Sequence, residues 1–184
     1  MRYFCTLILC TFVSIALAQT PIANRVKSVV QHLPQKAAIV AKYTDNDRHC
    51  LYYIYNGRLY KYDVVKNAND EVDFTTRGYR SIDNAFIEEN GAYLFIITET
   101  TRRNQEEPIN RKDLWRIDTM KGKAKKIDSG FSVKRKKEGF EVKRADDCIN
   151  PNARAEKRQW NARTHVYDFE GKPSSTTKSY VIKK

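Results

Sequence analysis

Apolar and polar residues alternate along most of this chain with a period of two, in short runs separated by turn-forming residues. The clearest case is His49–Asp63, where two aromatic-rich runs flank Asn56-Gly57, the pair best suited to the positive φ angles of a type I′ turn. A two-residue turn there sets Ile54 opposite Leu59, Tyr53 opposite Tyr60 and Leu51 opposite Tyr62. Leu51, Tyr53, Tyr60 and Tyr62 then share one face, and Cys50, Tyr52, Ile54 and Leu59 the other. Both faces are largely apolar, so the hairpin predicts cover on both sides.

The same pattern continues. Ala37–Tyr43 is a compact apolar run ended by the turn-forming Thr44-Asp45-Asn46-Asp47, and a polar turn at Lys66–Asp70 precedes a short run at Glu71–Arg77. Ser81–Glu88 and Ala92–Thr100 flank Asn90-Gly91, a second type I′ candidate. Tyr93–Ile97 is unbroken apolar, which predicts a strand covered on both faces. The polar loop Thr101–Lys112 leads into Asp113–Met120, and Lys121-Gly122 turns the chain into Ala124–Asp128. Phe131–Lys136 and Phe140–Ala145 flank Lys137-Glu138-Gly139. A second long loop, Asp146–Glu156, precedes Lys157–Phe169, and Glu170-Gly171-Lys172 leads into Ser175–Ile182. Only Gln19–Gln35 departs from this period: Ile22, Val26, Val29, Val30 and Leu33 recur at helical spacing, and Pro34 stops the run. The prediction is an all-β domain over residues 36–184, a meander of about twelve short antiparallel strands, after a short helix or leader at 19–35. Its architecture is a barrel or sandwich, or an incomplete three-blade propeller-like stack.

Three segments align on a terminal aspartate: Leu59-Tyr60-Lys61-Tyr62-Asp63, Leu114-Trp115-Arg116-Ile117-Asp118 and Thr164-His165-Val166-Tyr167-Asp168. Their aspartates are 55 and 50 residues apart, and Gly122-Lys123 and Gly171-Lys172 follow the last two. The stretch Leu114–Lys125 resembles the strand–turn–strand of β-propeller repeats in secreted and periplasmic proteins. That resemblance implies blade-like units of about four strands. It also implies that the connections between second and third strands share one rim: Asn56-Gly57, Thr101–Lys112 and Asp146–Glu156. Three units fall short of a closed ring, which leaves an incomplete propeller or a homodimer that completes six blades; the alternative is a barrel or sandwich with coincidental similarity.

The first residues change the compartment. Arg2, the apolar run Tyr3–Ser14 and Ala16-Leu17-Ala18 form a signal peptide with cleavage expected after Ala18, and hence a secreted or periplasmic protein. The mature chain keeps Cys50 and Cys148, which export makes a candidate disulfide. Such a bond closes a loop of about 100 residues, worth about 4–5 kcal/mol in the chain-entropy account. It would count against a strict blade model, because Cys50 begins its strand whereas Cys148 lies in the rim loop. No Asn-x-Ser/Thr sequon is present.

The net charge is +12, and it is lopsided. Residues 19–100 carry 10 Lys and Arg against 10 Asp and Glu, whereas residues 101–184 carry 23 against 12. A basic surface of this kind attracts anionic partners. Lys134, Arg135, Lys136, Lys137, Lys143 and Arg144 are gathered by one hairpin, with Phe131, Val133, Phe140 and Val142 as its inward face. Arg102, Arg103, Arg111, Lys112, Arg154, Lys157 and Arg158 belong to the long loops or their flanks.

Catalytic chemistry finds little support. The chain has three His and lacks the G-x-S-x-G, H-E-x-x-H, Walker and dinucleotide patterns. His49 and Cys50 are strand neighbours and point to opposite faces. Asp45-Asn46-Asp47 and Asp146-Asp147 read as turns rather than metal ligands, and no cofactor is implied. Trp160 shares a stripe with Ala162, Thr164 and Val166 and reads as core. The 11 tyrosines suit sugar stacking and strand packing equally.

The resulting expectation is a non-enzymatic binding protein that engages an anionic polymer or partner through Arg102, Arg103, Lys134–Lys137, Lys143, Arg144, Arg154 and Arg158. Polysaccharide, an acidic protein or an anionic membrane surface would suit; nucleic acid is disfavoured by export. The alternative is a β-barrel carrier of a small apolar ligand.

Overall fold

The computed structural model describes residues 22–44, 49–75, 79–88, 91–100 and 110–183. They form one α-helix and thirteen strands in three antiparallel sheets, with no closed barrel. Residues 1–18, for which a signal peptide is expected, lie outside the described residues. The described chain divides into two compact units: one runs to Tyr55 and includes Leu59–Val72, the other takes Asn56–Arg58 and everything from Asp73.

In the first unit, helix α1 (Ile22–Gln31) buries Val26 and ends before Pro34. A four-stranded sheet follows in the order β1 (Ala38–Thr44), β2 (His49–Tyr55), β3 (Arg58–Asp63) and β4 (Ala68–Glu71). The turn between β2 and β3 has φ +48° at Asn56 and +72° at Gly57, the left-handed values that the Asn-Gly pair predicts. Leu51 and Tyr53 are buried on one face of the hairpin, and Cys50, Tyr52 and Leu59 on the other. Tyr53 and Tyr60 stack with centroids 5.3 Å apart. Beyond β3 the structure departs from the expected pattern. Asn67, at φ +52°, closes the turn early, so β4 begins at Ala68 and ends at Glu71, and residues 72–75 of the expected run Glu71–Arg77 belong to no strand.

The second unit contains two sheets. One is β5 (Ser81–Ile87), β6 (Tyr93–Glu99), β7 (Lys112–Asp118) and β8 (Ala124–Gly130), in that order. The other is β9 (Ser132–Lys136), β10 (Gly139–Cys148), β11 (Gln159–Tyr167) and β12 (Pro173–Thr176), with β13 (Tyr180–Lys183) pairing along the first half of β11. The expected last strand is therefore two strands sharing one partner. Phe95, Ile97 and Leu114 of one sheet pack on Phe140 and Val142 of the other, and Phe86, Tyr93, Ile127, Val133, Tyr167 and Phe169 surround them. Phe95 and Phe140 lie 4.6 Å apart between centroids. Each such buried side chain contributes about 1.5–3 kcal/mol. On β6, Leu94 and Ile96 are buried as completely as Phe95 and Ile97, so the strand is covered on both faces, as its unbroken apolar run predicts. Trp160, Ala162 and Thr164 are buried on the other face of the β10–β11 sheet.

Each of the three sheets contains an up-and-down meander of four consecutive strands, to which the third adds β13, and the three aligned aspartates do the same work in each. Asp63 ends β3, Asp118 ends β7 and Asp168 follows β11, the third strand in every case. Oδ1 of Asp63 accepts the amides of Val65 and Lys66, and Oδ1 of Asp118 those of Met120 and Lys121. Oδ1 of Asp168 accepts the amides of Glu170 and Lys172. A carboxylate that satisfies two turn amides locks the reversal into the fourth strand.

Candidate binding surface

The basic hairpin is built from β9 and β10, paired so that Lys134 faces Glu141 and Arg135 faces Phe140. Cross-strand partners share a face, so the hairpin divides its cations instead of gathering all six. Lys134, Lys136 and Lys143 lie on one face with Glu141, which pairs with Lys136 at 3.3 Å. Arg135 and Arg144 lie on the opposite face with Val133, Phe140 and Val142, and Lys137 occupies the turn. Period-two alternation was the available signal for this split.

Arg144 is held by protein carboxylates: its Nη1 is 3.3 Å from Oδ1 of Asp128, and its Nε is 3.5 Å from Oδ1 of Asp146. Oδ2 of Asp146 also meets Nε of Arg163 at 3.3 Å. Arg158 is half-buried and donates Nε–H to the Ala153 carbonyl, whereas Arg154 is exposed in the same loop. Arg102 and Arg103 lie outside the described residues. The two-way bond between the Asn110 side chain and the Ala145 backbone, 2.6 and 2.9 Å, sets the residues just before β7 beside the second half of β10. Cys50 is buried in β2 and Cys148 half-buried at the end of β10; both are present as thiols.

What remains is a groove of about 640 Å³ beside β9, the edge strand of its sheet. Phe86, Ile97 and Val133 form its apolar part, and Asp83, Asn84, Lys112, Lys134 and Arg135 its polar part. The edge position explains how Lys134 and Arg135 reach one groove from opposite faces. The Arg135 guanidinium carbon lies 5.4 Å from the Phe86 centroid and 5.8 Å from that of Phe169. These aromatic contacts hold a planar fork of donors at the groove while its charge remains. Lys112 Nζ meets Oδ2 of Asp83 at 2.6 Å. Both side chains are partly exposed, so this pair adds only about 0–1 kcal/mol.

Three irregularities aim carboxylates at cations. The register of β5 on β6 shifts between Ile82 and Asn84, at Asp83. That of β8 on β7 shifts opposite Leu114 and Trp115, where Ile127 joins the core and Asp128 meets Tyr167 and Arg144. The shift between Ala145 and Cys148 contains Asp146. A bulge re-aims the side chain it displaces, and sequence periodicity cannot locate it.

Among the described residues Asp113 and Asp128 are the buried acids of this unit, but they do not form a carboxylate pair. Asp113 lies opposite Ser129, accepts its hydroxyl at 2.6 Å and meets Lys126 Nζ at 2.7 Å. Asp128 lies opposite Leu114, on the face that carries the intersheet core, and accepts the Tyr167 hydroxyl at 2.8 Å. Burial is the main cause that pushes the Tyr167 phenol up, and the hydrogen bond to Asp128 adds to it.

No protein-family model and no curated protein matches this chain. Among solved structures it is similar to the extracellular domain of a B. thetaiotaomicron protein described as a one component system, at 13% identity and a TM-score of 0.36. The match covers 78% of this chain and 17% of that one. No helix among the described residues is long and apolar enough to cross a membrane.

Proposed function

We propose that this is a non-enzymatic binding protein, secreted or periplasmic, that takes an anionic polysaccharide along the β9 edge. The observation that carries the reading is the convergence of Lys112, Lys134 and Arg135 on one groove, with the Arg135 fork held by two aromatic rings. A sulfate or carboxylate there accepts charge-assisted hydrogen bonds from Arg135 and Lys134. Exposed Lys136 and Lys137 and the half-buried Lys143 extend the positive field along the same hairpin. Residues 1–18 support export, and the open sheets leave the barrel-carrier alternative without its barrel.

Retention on heparin or dextran sulfate at about 0.15 M ionic strength tests this. Replacing Lys134 and Arg135 together by Ala is expected to abolish retention, and unchanged retention would exclude the groove. The Asp-turn repeat supports a propeller-like reading of the three meanders, in which a homodimer completes six units. A monomeric native mass would exclude that assembly.

A further inference from the structure

We propose a second, independent ligand site in the first unit: a groove of about 680 Å³ between α1 and the sheet that takes a neutral saccharide ring. Its volume falls within the range of small-ligand sites. The argument rests on counting donors and acceptors. Tyr53 donates its hydroxyl to Oδ1 of Asn69 at 3.0 Å, and Tyr62 donates to Oδ1 of Asn67. Each phenol oxygen keeps acceptor capacity and each Asn keeps its Nδ2 donors, for which no partner exists among the described residues. The amide of Asn67 is carried by a left-handed backbone at φ +52°, which fixes its position at the β3–β4 turn.

The helix wall completes the set. Arg25 adds donors, and His32 places Nδ1 2.8 Å from the Ser28 carbonyl. A carbonyl only accepts, so Nδ1 carries the proton in that bond, and Nε2 is the ring's remaining polar atom. The groove therefore mixes unused donors and acceptors. A carboxylate or sulfate would use only the donors and leave the acceptors to water. Hydroxyl groups on a ring use both, and its C–H surface suits the apolar part of the wall contributed by Val64 and Leu33.

The experiment uses the full mature chain with galactose, N-acetylglucosamine and cellobiose as neutral probes and galacturonate as the anionic one. Binding is read by saturation-transfer NMR and calorimetry. At least one neutral probe is expected to bind saturably, and more tightly than galacturonate. Asn69→Ala and Tyr62→Phe are each expected to weaken it about tenfold, the equivalent of one lost hydrogen bond. Asn67→Gly removes the amide while tolerating the left-handed backbone, and is expected to do the same with unchanged thermal stability. Lys134→Ala is expected to leave sugar binding unchanged, which separates this site from the β9 groove. Failure of every neutral probe, preference for galacturonate, or binding that survives the groove variants would overturn the proposal.

Discussion

Tyr167 donates its hydroxyl to Oδ2 of Asp128 at 2.8 Å, tying the third strand of one sheet to the last strand of its neighbour. Asp128 is buried and also faces Arg144, so removing the phenol leaves a carboxylate with one donor fewer inside the unit. Tyr167→Phe is expected to lower stability by about 1–3 kcal/mol, measured by urea unfolding.

The same contact predicts a response to alkali. The folded state holds the Tyr167 proton more tightly than the unfolded state does. Its stabilisation is therefore complete below the ordinary phenol range near pH ~10 and is lost as pH rises beyond it. The difference in stability between the parent protein and Tyr167→Phe should shrink as the pH is raised through this range. A constant difference would rule out this linkage.

The three turn aspartates should matter alike. Asp118→Ala removes the acceptor for two amides and is expected to cost about 0.5–2 kcal/mol, with Asp118→Asn recovering part of it. In the equivalent turn the backbone amide of Lys66 is the main cause that holds the Asp63 carboxyl below the usual range. That contribution is present above the ordinary carboxylate pKa and fades as pH falls through the lowered one. Acid titration of Asp63→Asn against the parent, followed by circular dichroism, checks the direction.

Gly130 and Gly139 hold the intersheet joint and the basic hairpin. A Cβ at Gly130 would sit 2.4 Å from the Lys143 carbonyl oxygen; one at Gly139, where φ is +147°, would sit 1.9 Å from that of Tyr167. Both neighbours are backbone and cannot swing aside. Gly130→Ala and Gly139→Ala are each expected to destabilise by about 1–3 kcal/mol or more. Thermal melting of the two variants measures it.

Arg135→Lys preserves charge but loses the flat contact with Phe86 and Phe169. It should weaken polyanion retention while leaving part of its salt dependence. Retention equal to that of the parent would mean that net charge alone sets the interaction. For Cys50 and Cys148, intact mass before and after reduction decides whether export joins the two thiols: a bonded pair gains one hydrogen per sulfur.

The sequence by itself determined the strand grammar. Asn56-Gly57 specified a left-handed turn because few other pairs tolerate positive φ at both positions. The runs at Leu51–Tyr53 and Tyr93–Ile97 announced strands buried on both faces, and the aspartates at 63, 118 and 168 marked one turn repeated three times. These features are local, set by backbone sterics and by side chains reaching amides a few residues away. The tertiary structure alone decided which cations share a surface. Asp83, Asp128 and Asp146 are aimed by bulges whose register depends on a partner strand, and Arg144 and Arg163 are matched by acids on or beside other strands. The donors beneath α1 likewise meet only after the helix and sheet pack. Charge and hydrogen-bond partnership depend on distances through space, and a sequence fixes those only once its strands have paired.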